Sequence, residues 1–302
     1  MKSRVKVSYN RKLFVVTHLF AFILVYSASA LFNCTIIAQE KDPTDIKYEE
    51  FNHSNFDNPT NIDNEWMPLK PGMRYVYAGT TVDIDGESRP HRVVIHVTDL
   101  IKVINGIRSV VAWDLDFSAG QLVEAELAFF AQDNEGNVWR MGEYPEEYEE
   151  GEFVTQSCWI AGIEESKAGI SMKGEPLMGS PSYSQGWSPG ADFTDRGQVY
   201  QVGEEVCVPM GCYEDVLVIA EGSEAEPDAK QLKYWAPGIG NVQVGWKGEG
   251  EKTQEVLELV DIIQLGQENL AEIRTKALEL EKSAYENSKN VYGKTEPIVY
   301  EK

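Results

Sequence analysis

The amino-acid sequence predicts a mainly β protein: an antiparallel meander forming a curved sheet or half-barrel, with one C-terminal amphipathic helix. Three observations predict it. Runs of β-branched and aromatic residues alternate with a period of two. Turn dipeptides recur at a spacing of roughly ten residues from Pro71-Gly72 onward, and no helical period precedes Glu268. With 302 residues, 42% of them hydrophobic, the chain can fill one sizeable core or two small ones.

Taken in order, Arg74 to Val82 runs to a turn at Asp85-Gly86, and Arg92 to Val97 alternates cleanly. Asn105-Gly106 leads into Ser109 to Phe117, Ser118-Ala119-Gly120 into Leu122 to Ala131, and Asn134-Glu135-Gly136 into Val138 to Met141. Five further strands follow: Glu204 to Val208, Tyr213 to Ala220, Gln231 to Trp235, Asn241 to Trp246 and Glu255 to Gln264. Between the two sets, residues 172–197 are rich in Gly, Pro and Ser, which suits either a lid or a plain surface connection. Leu270, Ile273, Ala277, Leu280 and Ala284 fall at helical spacing. The expected organisation is a leader over 1–38, a polar linker over 39–70, the β-rich domain over 71–266, the helix over 267–290 and a frayed tail over 291–302.

The leader is basic up to Lys12 and then uncharged from Leu13 to Gln39. That is a secretory signal with a cleavage site at Ala28-Ser29-Ala30 or near Ala38, or else an uncleaved anchor. Either way the positive flank stays inside, so the protein is expected to be secreted or held on the outer side of the cytoplasmic membrane. The membrane is touched only through this segment. The net charge of −22 excludes nucleic acid as a partner and disfavours anionic lipid surfaces. Cys207 and Cys212 flank a tight turn and could form a disulfide, unless a bulge at Gly211 shifts their register; Cys158 is then unpaired.

Several chemical signatures fail on physical grounds. Gly186-Trp187-Ser188-Pro189-Gly190 has the G-x-S-x-G pattern, but Pro189 lacks the N–H an oxyanion hole needs, and His53, His91 and His96 all lie upstream. His91 and His96 are five apart on one strand and point to opposite faces, so they form no zinc pair. Asp114, Asp116, Glu124 and Glu126 flank the Ser118-Ala119-Gly120 turn. A three-residue loop there pairs Leu115 with Val123 and sets Asp114 opposite Glu124. These acids form a solvated face or bind Ca²⁺, the one cofactor the sequence offers. Asp133 and Glu143, either side of a short hairpin, are the candidate carboxylates for a hydrolase or lyase, against a plain turn cap and surface charge.

Some segments resemble a family of secreted, functionally uncharacterised prokaryotic proteins. They are Phe130-Ala131-Gln132-Asp133 on through Gly136-Asn137-Val138-Trp139 to Gly142-Glu143, Trp159-Ile160-Ala161-Gly162, and Lys233-Tyr234-Trp235-Ala236-Pro237-Gly238-Ile239-Gly240, with Pro68 to Gly72 upstream. The resemblance spans about residues 60–265. The last segment is also similar to the closing strand of β-clam carriers related to bacterial lipoprotein-localisation factors. The family pattern has acidic residues where this chain has Ala128, Ile160, Gly186 and Gln231, so a family site made of those acids is depleted here.

The leading expectation is therefore an extracytoplasmic binding protein with an apolar concave face for a lipid-like or other small hydrophobic ligand. Trp113, Leu115, Phe117, Phe129, Trp139 and Trp159 would line that face, with Tyr183 and Trp187 in the loop above it; plain core packing is the competing role for these rings. A carboxylate-dependent secreted enzyme and a cell-surface interaction module are the alternatives.

Overall fold

The computed structural model describes residues 47–82, 86–223 and 228–300; the leader predicted over 1–38 lies outside them. The described chain forms a single antiparallel, open and curved sheet of 16 strands with one α-helix. In chain order the strands are β1 (Met73–Val82), β2 (Ser88–Ile104), β3 (Ile107–Ser118), β4 (Gln121–Gln132), β5 (Val138–Glu149), β6 (Glu152–Gln156), β7 (Trp159–Ile160), β8 (Lys167–Met172), β9 (Tyr183–Ser184) and β10 (Gly186–Trp187). They continue with β11 (Arg196–Val208), β12 (Gly211–Gly222), β13 (Lys230–Ala236), β14 (Gly240–Lys247), β15 (Val256–Gln264) and β16 (Val299–Tyr300); α1 is Gln267–Asn287. No described helix is long and apolar enough to cross a membrane.

Two meanders, β1 to β5 and β11 to β15, join where β15 pairs with β1, with Met73 opposite Gln264. The sheet then curls until its far ends come together. Tyr183 and Ser184 pair with Gly197 and Arg196 of β11, whereas Gly186 and Trp187 pair with Ala168 and Lys167 of β8. A single stretch, residues 183–187, thus carries both ends of the strand path. Gly169 makes the approach feasible: a Cβ there would lie 2.2 Å from the backbone nitrogen of Gly186. The loop expected over 172–197 is this closing segment.

The turn between β3 and β4 differs from the three-residue loop expected from patterning. Ser118 pairs with Gln121 across two residues, Ala119 and Gly120, both with positive φ (50° and 80°), as a twist-matched hairpin turn requires. A bulge between Asp116 and Phe117 then restores the patterning, setting Asp114 opposite Glu126 and Asp116 opposite Glu124. Cys207 and Cys212 are directly opposed and joined by a disulfide, because Pro209-Met210 turns the chain before Gly211 can shift the register.

The sheet has a core on each face. Outside the curl, Val111, Trp113, Leu127, Phe129, Trp139 and Met141 pack under Ala277, Leu280 and Ala284 of α1. Inside it, Val110, Ala112, Ala128 and Phe130 from one half meet Leu217, Ile219, Trp235 and Val242 from the other. The described part of the predicted linker is no free stem: Ile62, Asn64 and Leu69 are buried, and Phe51 and Phe56 stack together beside Trp139. Nor is the C-terminal tail frayed over its described residues, 291–300. Tyr292 and Ile298 are buried, and β16 pairs with β2.

A buried ion pair explains the ordered tail. Lys102 Nζ, fully buried, donates to Glu281 Oε1 at 2.9 Å and to the Glu296 carbonyl at 2.8 Å, while Glu281 also accepts from Tyr292 Oη and the Ile298 N–H. The ammonium lies 4.0 Å from the Tyr292 ring centroid. Removing one partner strands the other in a low-dielectric core. Lys102→Ala is therefore expected to lower unfolding stability by about 3–5 kcal/mol. Urea denaturation should show this, and a loss below ~1 kcal/mol would contradict the burial of the pair.

Candidate functional site

Alternation places the acidic positions of β3 and β4 on the inner face of the curl, together with Val110, Ala112 and Phe130. One end of that face is apolar; the other carries a dense array of charge. At its centre is Arg140 of β5. Its Nη2 donates to Glu126 at 3.1 Å, its Nη1 pairs with Glu143 at 3.0 Å, and its guanidinium lies 5.5 Å from the Phe130 ring and 5.6 Å from that of Phe193. Phe193 in turn packs on Trp159, centroids 4.8 Å apart.

Facing this group from the other half, Lys233 of β13 pairs with Glu221 of β12 at 2.8 Å, and Gln185 of the closing segment donates to the second Glu221 oxygen side at 2.7 Å. On β2, His91 is held between Asp116 at 2.5 Å and Glu255 at 3.1 Å, with Gln231 donating to the other oxygen of Glu255. A cavity of about 280 Å³ opens between the halves. Arg140, Lys233, Gln185, Gln231, Asp195 and Glu221 line its polar side and Met67, Phe130, Phe193 and Trp235 its apolar side. The Nε1 of Trp235 and the Nε of Arg140 are buried without a hydrogen-bond partner.

Carboxyls outnumber cations here, and the site's protonation reflects it. Burial, reinforced by neighbouring carboxylates, pushes Glu124 up to about 8. Burial pushes Glu143 up to about 8 as well, outweighing the pull of Arg140. Asp114 and Asp195 are raised for the same first cause, with Glu126 and Glu221 respectively adding to it. Burial opposes charge on His91, but its bonds to Asp116 and Glu255 outweigh that and push it up to about 9. His96, on the opposite face against the Trp113 ring, is lowered to about 4 by burial.

The residues singled out in the sequence fall in several places. Trp113, Phe129, Trp139 and Tyr183 belong to the core outside the curl rather than to the cavity. Leu115 packs against that core, Phe117 lies under Arg92, and Trp187 lies near Lys47. Trp159 reaches the site through Phe193, on which it packs, and as the cross-strand partner of Glu143. The aromatics therefore line no shared apolar trough; the sheet's inner face presents its alternate residues instead. Asp133 and Glu143 belong to different networks. Asp133 accepts from the N–H groups of Glu135 and Asn137, from Asn137 Nδ2 and from Trp139 Nε1, a set that closes the hairpin. Asp114, Asp116, Glu124 and Glu126 stand in two cross-strand rows, half-buried rather than solvated, and among the described residues no three His, Cys, Asp or Glu converge as a metal-holding group. Ser188, the would-be nucleophile, is buried with its hydroxyl 2.8 Å from that of Ser166.

Arg140, Lys233, Asp195, Glu221 and Trp235 were not identified as site residues from sequence. A usable signal existed for Arg140, which stands two residues from the apolar, inward Val138 on β5.

No protein-family model matches the chain, and no curated protein matches it. Two solved structures do. One is a Bacteroides fragilis NCTC 9343 protein inferred to be exported and described as having a YmcC-like fold; it shares 14% identity at a TM-score of 0.38, covering 66% of this chain and 99% of that one. The other, an inferred lipoprotein of Parabacteroides distasonis ATCC 8503, shares 12% identity at a TM-score of 0.35, covering 67% of this chain and all of that one (100%).

The protonation pattern sets the pH dependence of stability. Between pH 6.5 and 8 the folded chain keeps protons on Glu124, Glu143 and His91 that the unfolded chain has largely released, so stability falls as pH rises through that window. The glutamate contributions are complete below 4.5 and lost by about 8; the histidine contribution is complete below 6.5 and lost by about 9. His96 acts oppositely, but only below 6.5. Thermal unfolding should show a melting temperature that drops from pH 6.5 to 8, and Glu143→Gln should reduce the slope by up to about 1 kcal/mol per pH unit. A melting temperature that rises across the window would contradict the assignment.

Proposed function

We propose that the protein is an extracytoplasmic binding protein whose ligand is a small polar molecule held inside the curl. The observation that carries this is the 280 Å³ cavity with Arg140 and Lys233 on its wall and the buried N–H of Trp235 left unpartnered. Buried polar groups in folded proteins are ordinarily hydrogen-bonded, so such a donor beside a cavity favours a ligand or ordered water that accepts from it. The volume sits at the small end of ligand pockets, roughly 300–1,000 Å³. That favours a compact ligand with several polar groups over the lipid-like molecule suggested by the aromatic content. The leader, basic and then uncharged, and the Cys207–Cys212 disulfide support the compartment. The carboxylate-pair enzyme has less support, because the oxygens of Asp133 are taken up by the hairpin.

Native mass spectrometry of the purified chain tests this directly. The expected result is a co-purifying polar small molecule. Trp235→Phe, which keeps an aromatic ring but removes the N–H together with part of the indole, should weaken its binding at least about three- to tenfold, the worth of one hydrogen bond. Recovery of a long-chain lipid, or a ligand indifferent to Trp235→Phe and Lys233→Ala, would overturn the proposal.

A further inference from the structure

Beside the cavity lies a second gap of about 80 Å³, sharing Met67, Phe130 and Trp235 with it. Four aromatic residues border this gap, Tyr75, Tyr77, Phe130 and Trp235, with Met67, Leu69, Ile95 and Ala112 beside them; its polar side chains are Asp114 and Asn241. Each ring residue is at most 8% exposed. The tyrosine hydroxyls are engaged elsewhere: Tyr77 donates to the Asn241 carbonyl at 2.9 Å and Tyr75 to the Pro68 carbonyl at 3.4 Å. These bonds hold the rings in place. Among the residues at the gap, Asp114 has a buried carboxyl oxygen, Oδ1, without a hydrogen-bond partner.

Aromatic rings around a small space, with a single acid, suit one kind of chemical group. A methylated ammonium carries a diffuse charge that ring quadrupoles attract, and its methyl groups gain by leaving water. A primary ammonium needs three hydrogen-bond acceptors, and besides the two engaged tyrosine hydroxyls only Asp114 and Asn241 bring side-chain oxygens to this gap. The larger cavity, which shares Phe130 and Trp235, offers two cations, Arg140 and Lys233, to a group of opposite charge, with Asp195 and Glu221 beside them.

We infer that the gap bounded by Tyr75, Tyr77, Phe130, Trp235 and Asp114 is a subsite for a quaternary ammonium group, whose anionic remainder extends into the cavity toward Arg140 and Lys233. The ligand is then a small methylammonium zwitterion, an inference that rests on the binding-protein reading above and narrows it. Asp114 fits the role further. Burial first, then Glu126, raises its carboxyl well above the usual range, and a cation bound beside it favours its ionised form. Phe130 joins the two subsites, since the Arg140 guanidinium already lies against its ring.

The test is calorimetric titration of the purified full chain with glycine betaine, with choline, with choline's uncharged carbon isostere dimethylbutanol, and with glycine. Glycine betaine is expected to bind best and choline more weakly. The isostere should bind at least tenfold more weakly than choline, since a desolvated cation–π contact is worth about 2 kcal/mol. Asp114→Asn and Trp235→Leu should each lower betaine affinity at least tenfold; the isostere comparison needs no variant and so stands even if one fails to fold. Equal binding of choline and the isostere would make the gap merely apolar and overturn the inference. Failure of both betaine and choline to bind would overturn it too. In that case a co-purifying polar molecule without a methylammonium group leaves the binding-protein reading intact, and the absence of any cavity-dependent ligand removes both.

Discussion

A guanidinium cannot be taken out of water without counter-charges close by, and the placement of Arg140 organises the inner face of this sheet. Its partners arrive from three directions. Glu126 comes across the β4–β5 ladder, Glu143 from three residues along its own strand, and the Phe130 and Phe193 rings lie against it from β4 and from the closing segment. A flat sheet would leave this array in solvent, where such pairs contribute little. The curl brings β13 over it, with Lys233 and Glu221 adding a second ion pair, and the space left between the two pairs is the cavity. Charge, curvature and cavity are one arrangement.

The outer face obeys a different constraint. Its core is aliphatic and aromatic, and α1 covers it, so the side chains that look most like a hydrophobic binding surface are consumed in packing. Lys102 extends this logic to the last residues of the chain, because its buried ammonium draws in Glu281, the Glu296 carbonyl and the Tyr292 ring together. The greasy face is the scaffold. The inner face is the mixed one, where apolar residues at one end give way to charged residues at the other.

Much of the architecture was legible. Period-two runs and the Asn-Gly, Ala-Gly and Pro-Met turns mark the strands, and the spacing of Leu270 to Ala284 marks the helix, because local propensity and turn chemistry agree there. The acid-facing-acid rows of β3 and β4 were also legible, though the bulge at Asp116/Phe117 that produces them was not. What escaped depends on long-range pairing. No local pattern says that residues 183–187 join the two sheet ends, or that Arg140 and Lys233 face each other after seven steps along the strand order. Most of the expected lining residues lie in the outer core for a simple reason: alternation identifies two faces, but only the curl and the helix decide which face is left open.

That curl is the claim to test. Laid flat, β5 and β13 would stand about 33 Å apart at ordinary strand spacing, well beyond the roughly 10 Å reach of charges in salt. A double-mutant cycle of Arg140→Gln and Lys233→Gln, read by urea unfolding, measures whether these residues sense each other. The curled sheet predicts a coupling above ~0.5 kcal/mol; strict additivity within ~0.3 kcal/mol would mean that the two halves do not face one another.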